Sequence, residues 1–299
     1  MYVVTGATGH TGSVIAKRLL AQGKKVRVVG RSIERLSSLA PLGAEPLAAD
    51  VSNKEAVATA FSGAEAAYIM IPPDLANPDY AAYQDKVAEA MASALEKEGP
   101  AYVVVLSSFG ADKPEKTGPI AGLHRMEERL RRISKLNALY VRAGYFMENT
   151  LPQAGVIQHM GVTAGPLNPD LKIPMIATRD IGAFVADQLL RLEFQGHQAQ
   201  ELLGQRDLTM TEVTGIIGQA IGKPDLQYSQ ISYDQFGGFL MQMGASQRTA
   251  GLMVEMAEAQ NSGLVRALEE RSRQNTTATA YETFVAEEFV PAYRASSAA

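Results

Sequence analysis

From its first residues the chain alternates short apolar runs with longer stretches in which apolar residues recur every three or four positions. Tyr2 to Thr5, Val26 to Val29, Glu45 to Ala48, Ala67 to Ile71, Tyr102 to Leu106 and Ala138 to Val141 read as strands. The run Tyr102 to Leu106 is apolar enough to be central in a sheet. Between the strands, Val14, Ile15, Leu19 and Leu20 share one face of a helix that Gly23 ends. Ile33 to Leu39 reads as a short helix and Tyr80 to Lys97 as a long one. Ser52 and Glu55 have capping-box spacing before a helix ending near Phe61, and Pro72-Pro73 stops the fourth strand. Strands alternating with helices require right-handed crossovers. The expected fold is therefore α/β, a doubly wound parallel sheet with helices on both faces.

Beyond Gly144 the pattern changes to methionine-rich, Gly/Pro-punctuated runs and helices without buried strands between them. Residues 1–150 are expected to form the sheet domain, completed by about 177–205, and 151–299 a smaller, mainly helical C-terminal lobe. Asp180 is expected to cap a helix to about Leu192, with Gln200 to Leu203 a late strand of the sheet. Thr211 to Ile221, Tyr233 to Met243 and Arg248 to Leu268 read as lobe helices, the last continuing into a solvated face of Arg266, Glu269, Glu270 and Arg271. Met147, Met160, Met175, Met241 and Met243 are either an adaptable apolar pocket or core, and His159 faces that pocket or solvent. Ala295 to Ala299 is expected to be a frayed tail.

Composition narrows the chemistry. The 299 residues are 46% hydrophobic and 20% charged with a net charge of -4, so a basic nucleic-acid footprint is not expected. With no cysteine there is no disulfide, thiolate metal site or cysteine nucleophile, and the four histidines have no metal-ligand spacing. No apolar run is long enough to span a bilayer and no basic-then-apolar leader follows Met1, so a cytoplasmic protein is expected.

The chemistry begins in the first apolar run, VVTGATGHTG, where Gly6, Gly9 and Gly12 lie between a strand and a helix. Gly6 permits the tight turn and Gly9 lets the backbone approach a pyrophosphate. Gly12 allows helix and strand to pack closely, and the helix N-terminus supplies amide donors. This is a Rossmann dinucleotide loop, with Thr8, His10 and Thr11 completing its contacts. The GxxGxxG spacing resembles that of extended and atypical short-chain dehydrogenase/reductases. At the end of the second strand an acid would select NAD and an arginine NADP. Arg31 stands there with Arg35 one turn later, so NADP(H) is expected over NAD(H). Asp50 and Val51 are expected beside the adenine, and Ile71 and Pro72 along the ribose.

Several segments together resemble the NmrA-like family, a branch of the atypical short-chain dehydrogenase/reductases. They are TGATGHTG, Arg31, LSSFGAD at 106–112, LHRMEERL at 123–130, RAGYFMEN at 142–149 and ATRDIG at 177–182. The superfamily's Tyr-x-x-x-Lys pair has no counterpart here: Ile120 stands at the tyrosine position and His124 at the lysine position, with Glu128 one turn on. His124 is the candidate to orient the nicotinamide ribose or to donate to a developing oxyanion; a surface pairing with Glu128 is the other reading. Ser107 is expected on the cofactor and Ser108 on substrate, at the sheet edge where such folds bind ligands. Tyr145 and Phe146 are expected to wall the nicotinamide pocket, and Asn149 to face substrate.

The resemblance implies two outcomes. One is an NADPH-dependent reductase of quinones, dyes or other conjugated small molecules, which suits a site lacking the tyrosine. The other is a redox sensor that binds the dinucleotide and acts through a regulatory protein partner, without turnover. A homodimer is compatible with either, and no metal, nucleic acid or membrane is expected to take part.

Overall fold

The computed structural model describes residues 1–296, with Glu98 described by its backbone alone. Residues 297–299 of the expected tail lie outside the described residues, while 295 and 296 continue the last helix. A seven-stranded parallel sheet organises the chain. Its strands are β1 (Tyr2–Thr5), β2 (Val26–Gly30), β3 (Glu45–Ala48), β4 (Ala66–Ile69), β5 (Tyr102–Ser108), β6 (Asn137–Ala143) and, returning late in the chain, β10 (His197–Leu202). Their order is β10-β6-β5-β4-β1-β2-β3, so the connection reverses direction between β1 and β4. In open sheets that switch point is where a crevice forms at the strands' carboxyl ends.

The strand residues alternate between two cores because successive side chains point to opposite faces. Tyr2, Val4, Val104 and Leu106 pack with α1 (His10–Ala21) and α7 (Thr178–Arg191). Val3, Val103 and Val105 pack with α3 (Lys54–Phe61), α4 (Tyr80–Glu98) and α5 (Ile120–Leu130). Each large apolar side chain removed from water here contributes roughly 1.5–3 kcal/mol before the cost of ordering it. The short α2 (Ile33–Ser37) closes the β2–β3 crossover, its N-terminus capped by Ser32, whose Oγ accepts the Arg35 amide at 3.3 Å.

The rest of the chain forms a smaller region with its own core around Phe284, Ile217 and Ile157. Besides α6 (Gln153–Met160), α8 (Met210–Ala220), α9 (Tyr233–Gln242), α10 (Gln247–Asn261), α11 (Tyr281–Phe284) and α12 (Val290–Ser296), it contains short strands. β7 (Tyr145–Phe146), β9 (Ile173–Ile176) and β11 (Arg206–Leu208) make a three-stranded sheet, and β8 (Thr163–Gly165) pairs with β12 (Tyr228–Gln230). The lobe is thus less purely helical than its sequence pattern predicts.

Three local expectations are corrected. The cap of α3 is Asn53, whose Oδ1 accepts the Ala56 amide at 3.0 Å, while Ser52 donates its own amide to Asp50. Asp180 lies inside the first turn of α7 and binds the Thr279 amide and hydroxyl; the Thr178 amide at the helix start is instead bonded by Glu148 at 2.8 Å. α10 stops at Asn261, and residues 266–271 are an extended strap rather than a helix face. That strap is tied down at buried Glu201, whose Oε2 accepts the Leu268 and Glu269 amides, and by Arg271 on the Gly204 carbonyl and Asp207.

Candidate active site

The glycine loop is shaped by backbone geometry. Gly6 has φ +61°, a left-handed conformation that a side chain would strain, and its carbonyl accepts the Gly9 amide at 2.9 Å. Gly9 is the N-cap of α1, with no side-chain cap and no acidic residue in the first turn. The amides at this end are therefore free of a side-chain cap, and the positive end of the helix dipole carries no compensating carboxylate. A Cβ on Gly12 would lie 2.4 Å from the Gly6 carbonyl oxygen, so only glycine allows α1 to start this close to β1. Gly182 does the same from α7, where a Cβ would meet Val14 at 2.7 Å.

Around this loop the expected residues fall into two groups. Arg31, Arg35, His10 and Asp50 are exposed, and Thr8 is half-buried. Arg31 makes no hydrogen bond or ion pair among the described residues, and Arg35 Nη2 reaches the Thr8 carbonyl oxygen at 3.5 Å. Val51 and Ile71 are buried and Pro72 is half-buried at the ends of their strands. Thr11 is also buried; its hydroxyl meets the Tyr68 hydroxyl at 2.9 Å. Tyr83, whose role the sequence left unread, belongs with this group. Burial and Asp50 raise its phenol's pKa while Arg31 lowers it, which places it near both.

His124 sits on α5 where Gly122 permits close approach to α4: a Cβ there would lie 2.2 Å from Gln84 Oε1. His124 Nδ1 is 2.8 Å from the Ala111 carbonyl oxygen. A carbonyl only accepts, so Nδ1 carries the hydrogen and Nε2 is left for another partner. The pairing with Glu128 is not formed; Glu128 faces Arg131 at 3.4 Å. Ile120 is buried at 4% exposure, leaving an alkyl group where a tyrosine hydroxyl would stand. The loop ahead of α5 is clamped by α10, with Gly118 donating its amide to Glu255 Oε1 at 3.1 Å.

The two serines at the end of β5 are engaged elsewhere. Ser107 is buried and donates to Glu127 Oε1 at 2.6 Å, and Arg142 binds the same carboxylate at 3.0 and 2.6 Å. Its hydroxyl thus serves a buried ion pair and is not offered to the crevice. Ser108 donates to the Phe109 carbonyl at 2.9 Å. Phe146 packs against the sheet core beneath α7.

At the same edge of the sheet lies a cavity of about 560 Å³. Its lining includes Tyr145 and Asn149, together with Phe236, Phe239, Leu240 and Tyr228. Of the five methionines considered above only Met160 lines it. Met147 and Met175 are core, and Met241 and Met243 are exposed on or just after α9. The methionines that do line it besides Met160 are Met210, Met253 and Met256. His159 is exposed and absent from the lining. Among the described residues the lining holds one charged side chain, Glu148, and no cation.

Glu148 joins the cavity to α7, the helix that packs on α1 at Gly182. Its Oε1 accepts the Thr178 amide and hydroxyl at 2.8 and 2.6 Å, while its buried Oε2 has no hydrogen-bond partner. Glu288, in the π-helical segment Val285–Phe289 that runs into α12, has its pKa raised by burial and by Glu148 and lowered by Arg179 and His10. One carboxyl therefore senses both a cavity wall and the first residue of α1. Sequence patterning gave no sign of this, because Glu148 and Glu288 are far apart in the chain.

A family model described as the NmrA-like family matches residues 2–290. The chain belongs to the NmrA-like family. A (4-alkanoyl-5-oxo-2,5-dihydrofuran-3-yl)methyl phosphate reductase of Streptomyces griseus is 30% identical over 234 residues, 78% of each chain. The triphenylmethane reductase of Citrobacter sp., solved with NADP(H), superposes with a TM-score of 0.80 at 18% identity, covering 97% of this chain and 100% of that one. The NADPH-dependent quinone oxidoreductase of Escherichia coli superposes with a TM-score of 0.70 at 20% identity, again covering 97% of this chain and 100% of that one. At these identities the two structural likenesses are of fold. Among the described residues no group of histidines and carboxylates could hold a metal ion, and no helix is long and apolar enough to cross a membrane.

Proposed function

We propose that this protein is an NADPH-dependent reductase of an uncharged, conjugated small molecule. What supports the reading is that Glu148 of the apolar cavity wall bonds Thr178 at the start of α7, and α7 packs at Gly182 against Thr11 and Val14 of the glycine-loop helix. A reduced nicotinamide dinucleotide bound at the loop would supply hydride there. The chain's own part is to hold and orient. The uncapped start of α1 fits a pyrophosphate, because free amides and the dipole favour an anion. Arg31 and Arg35 supply guanidinium donors for a 2′-phosphate, with Arg35 already against the loop at Thr8. Asp50, Val51 and Tyr83 border the adenine end, and Ile71 and Pro72 the ribose. His124 Nε2 is available to the nicotinamide ribose or to an oxygen of the acceptor.

The acceptor's character follows from the cavity and the missing hydroxyl. With Ile120 in place of a tyrosine, the site suits an electron-poor conjugated system that takes hydride without prior protonation. The Streptomyces relative is named for an acyl-substituted dihydrofuranone, an acceptor of this kind. That compound carries a phosphate, whereas this cavity has one carboxylate and no cation to meet one. The acceptor here is therefore uncharged and apolar. Purified protein with NADPH and a panel of quinones, acyl dihydrofuranones and the phosphate ester of one of them tests this. NADPH is expected to be consumed with the neutral acceptors and little with the ester. Tight NADPH binding with no acceptor-dependent oxidation would sink the reductase reading in favour of a sensor.

A further inference from the structure

The lining of the cavity contains two tyrosines, Tyr145 and Tyr228, and a third, Tyr281, stands behind Thr150 of the lining; Tyr228 and Tyr281 are committed. Tyr228 donates its hydroxyl to the Leu167 carbonyl at 2.9 Å, and Tyr281 donates to Thr150 Oγ1 at 2.8 Å beneath the cavity floor. Tyr145 has no hydrogen-bond partner among the described residues, although burial pushes its phenol up to about 12 and so keeps it in the donating form at neutral pH. Tyr145 and Tyr228 share the cavity wall, and Tyr145 raises the pKa of Tyr228 and of Tyr281.

Tyr145 is also held in place, in β7 just past the carboxyl end of β6. It follows β6 after Gly144, where a Cβ would lie 2.6 Å from the Pro174 carbonyl oxygen. Its backbone then pairs with Met175 of β9. A half-buried phenol on a fixed strand end, lining the cavity with no protein partner for its accessible hydroxyl, is pre-organised for a ligand oxygen.

Resting on the reductase reading above, we propose that the Tyr145 hydroxyl is the hydrogen-bond donor to the acceptor's carbonyl oxygen during hydride transfer. In that step the carbon–hydrogen bond of the reduced nicotinamide breaks and a new one forms at the acceptor's conjugated carbon. The carbon–carbon π pair shifts toward the carbonyl oxygen, where negative charge collects. The acceptor gains two electrons and the dinucleotide loses two. Tyr145 stabilises the oxyanion by donating to it without giving up its proton, and water supplies the proton that completes the product.

The test compares the wild type, Tyr145→Phe and a protein carrying 3-fluorotyrosine at 145, with NADPH and a quinone. The phenylalanine variant keeps the ring and is expected to melt with the wild type and bind NADPH equally. Its kcat should fall about 100- to 1000-fold with KM changed little, as when a donor to a developing oxyanion is removed. The fluorinated protein, which keeps a donor hydroxyl, should recover most of the rate that the phenylalanine variant loses, and one as slow as the phenylalanine variant would also overturn the role. A phenylalanine variant within threefold of wild-type kcat would overturn the role of Tyr145 and leave the reductase reading standing. A wild type that reduces no acceptor would overturn the reductase reading, and this proposal with it.

Discussion

Gly9 and Gly12 lie one helical turn apart, and the structure assigns them different costs. A Cβ on Gly12 would be 2.4 Å from the Gly6 carbonyl oxygen and 2.8 Å from its carbon, against an ordinary contact of at least 3.4 Å. Backbone cannot swing aside as a side chain can, so Gly12→Ala must move α1 from β1 by about 1 Å. Overpacking of this size costs about 1–3 kcal/mol. At about 2–4 °C for each kcal/mol, the melting temperature should fall by several degrees even without ligand. A Cβ on Gly9 meets only the Gly6 oxygen at 3.3 Å, and its φ of -88° suits any residue. Gly9→Ala should therefore melt like the wild type. Its methyl group would occupy the space through which the pyrophosphate approaches, and about a 100-fold loss of NADPH affinity is expected, or about 2.7 kcal/mol. Thermal unfolding without ligand and calorimetric titration with NADPH separate the two effects. A Gly9→Ala protein that binds NADPH as the wild type does would refute the loop's role. A Gly12→Ala protein with unchanged melting would refute the packing argument.

Other consequences concern the coenzyme's second phosphate and two buried carboxylates. Arg31→Ala should weaken NADPH by about tenfold or more and leave NADH nearly unchanged, measured by titration with each; equal losses would remove the 2′-phosphate assignment. Glu127 is 1% exposed and bound by Arg142 and Ser107, so Glu127→Ala strands a half-buried guanidinium and should cost about 3–5 kcal/mol in urea unfolding. A loss below about 1 kcal/mol would show that water replaces the carboxylate. Burial, with repulsion from Glu269, outweighs the Leu268 and Glu269 amides and Arg142 and raises the pKa of Glu201. A raised carboxyl pKa means that the folded state holds the proton more tightly, so this contribution to stability is present in acid and lost as pH rises through the folded value. Glu201→Gln should accordingly gain on the wild type as pH rises above the ordinary carboxylate range, and a difference in unfolding free energy flat with pH would contradict the assignment.

The parallel sheet was readable in the sequence because strands buried on both faces leave nearly unbroken apolar runs, as at Tyr102–Ser108. The glycine loop was readable because its spacing follows from backbone approach, which no side chain can imitate. The short strands Tyr145–Phe146 and Arg206–Leu208 left no such trace: both pair with residues 173–176, and two or three residues carry no period. The strap at 266–271 looked like a charged helix because its partners, Glu201 and Asp207, lie far off in sequence. Ser107 looked like a ligand-facing serine because position on a strand fixes the edge but not which way the hydroxyl turns. Glu127, twenty residues on, decides that. Which methionines reach the cavity stayed open for a related reason. Composition shows that a region is rich in methionine, while helix rotation determines which of them, here Met210, Met253 and Met256, reach the space.

The most direct test of the central claim follows the hydride itself. Purified protein is given NADPH carrying deuterium at the transferring position of the nicotinamide, together with a neutral acyl dihydrofuranone, and the product is examined by mass spectrometry and NMR. One deuterium per product molecule is expected, on the conjugated carbon and on one face of it. Bound NADPH that is never oxidised, or a reduced product without deuterium, would contradict the central claim.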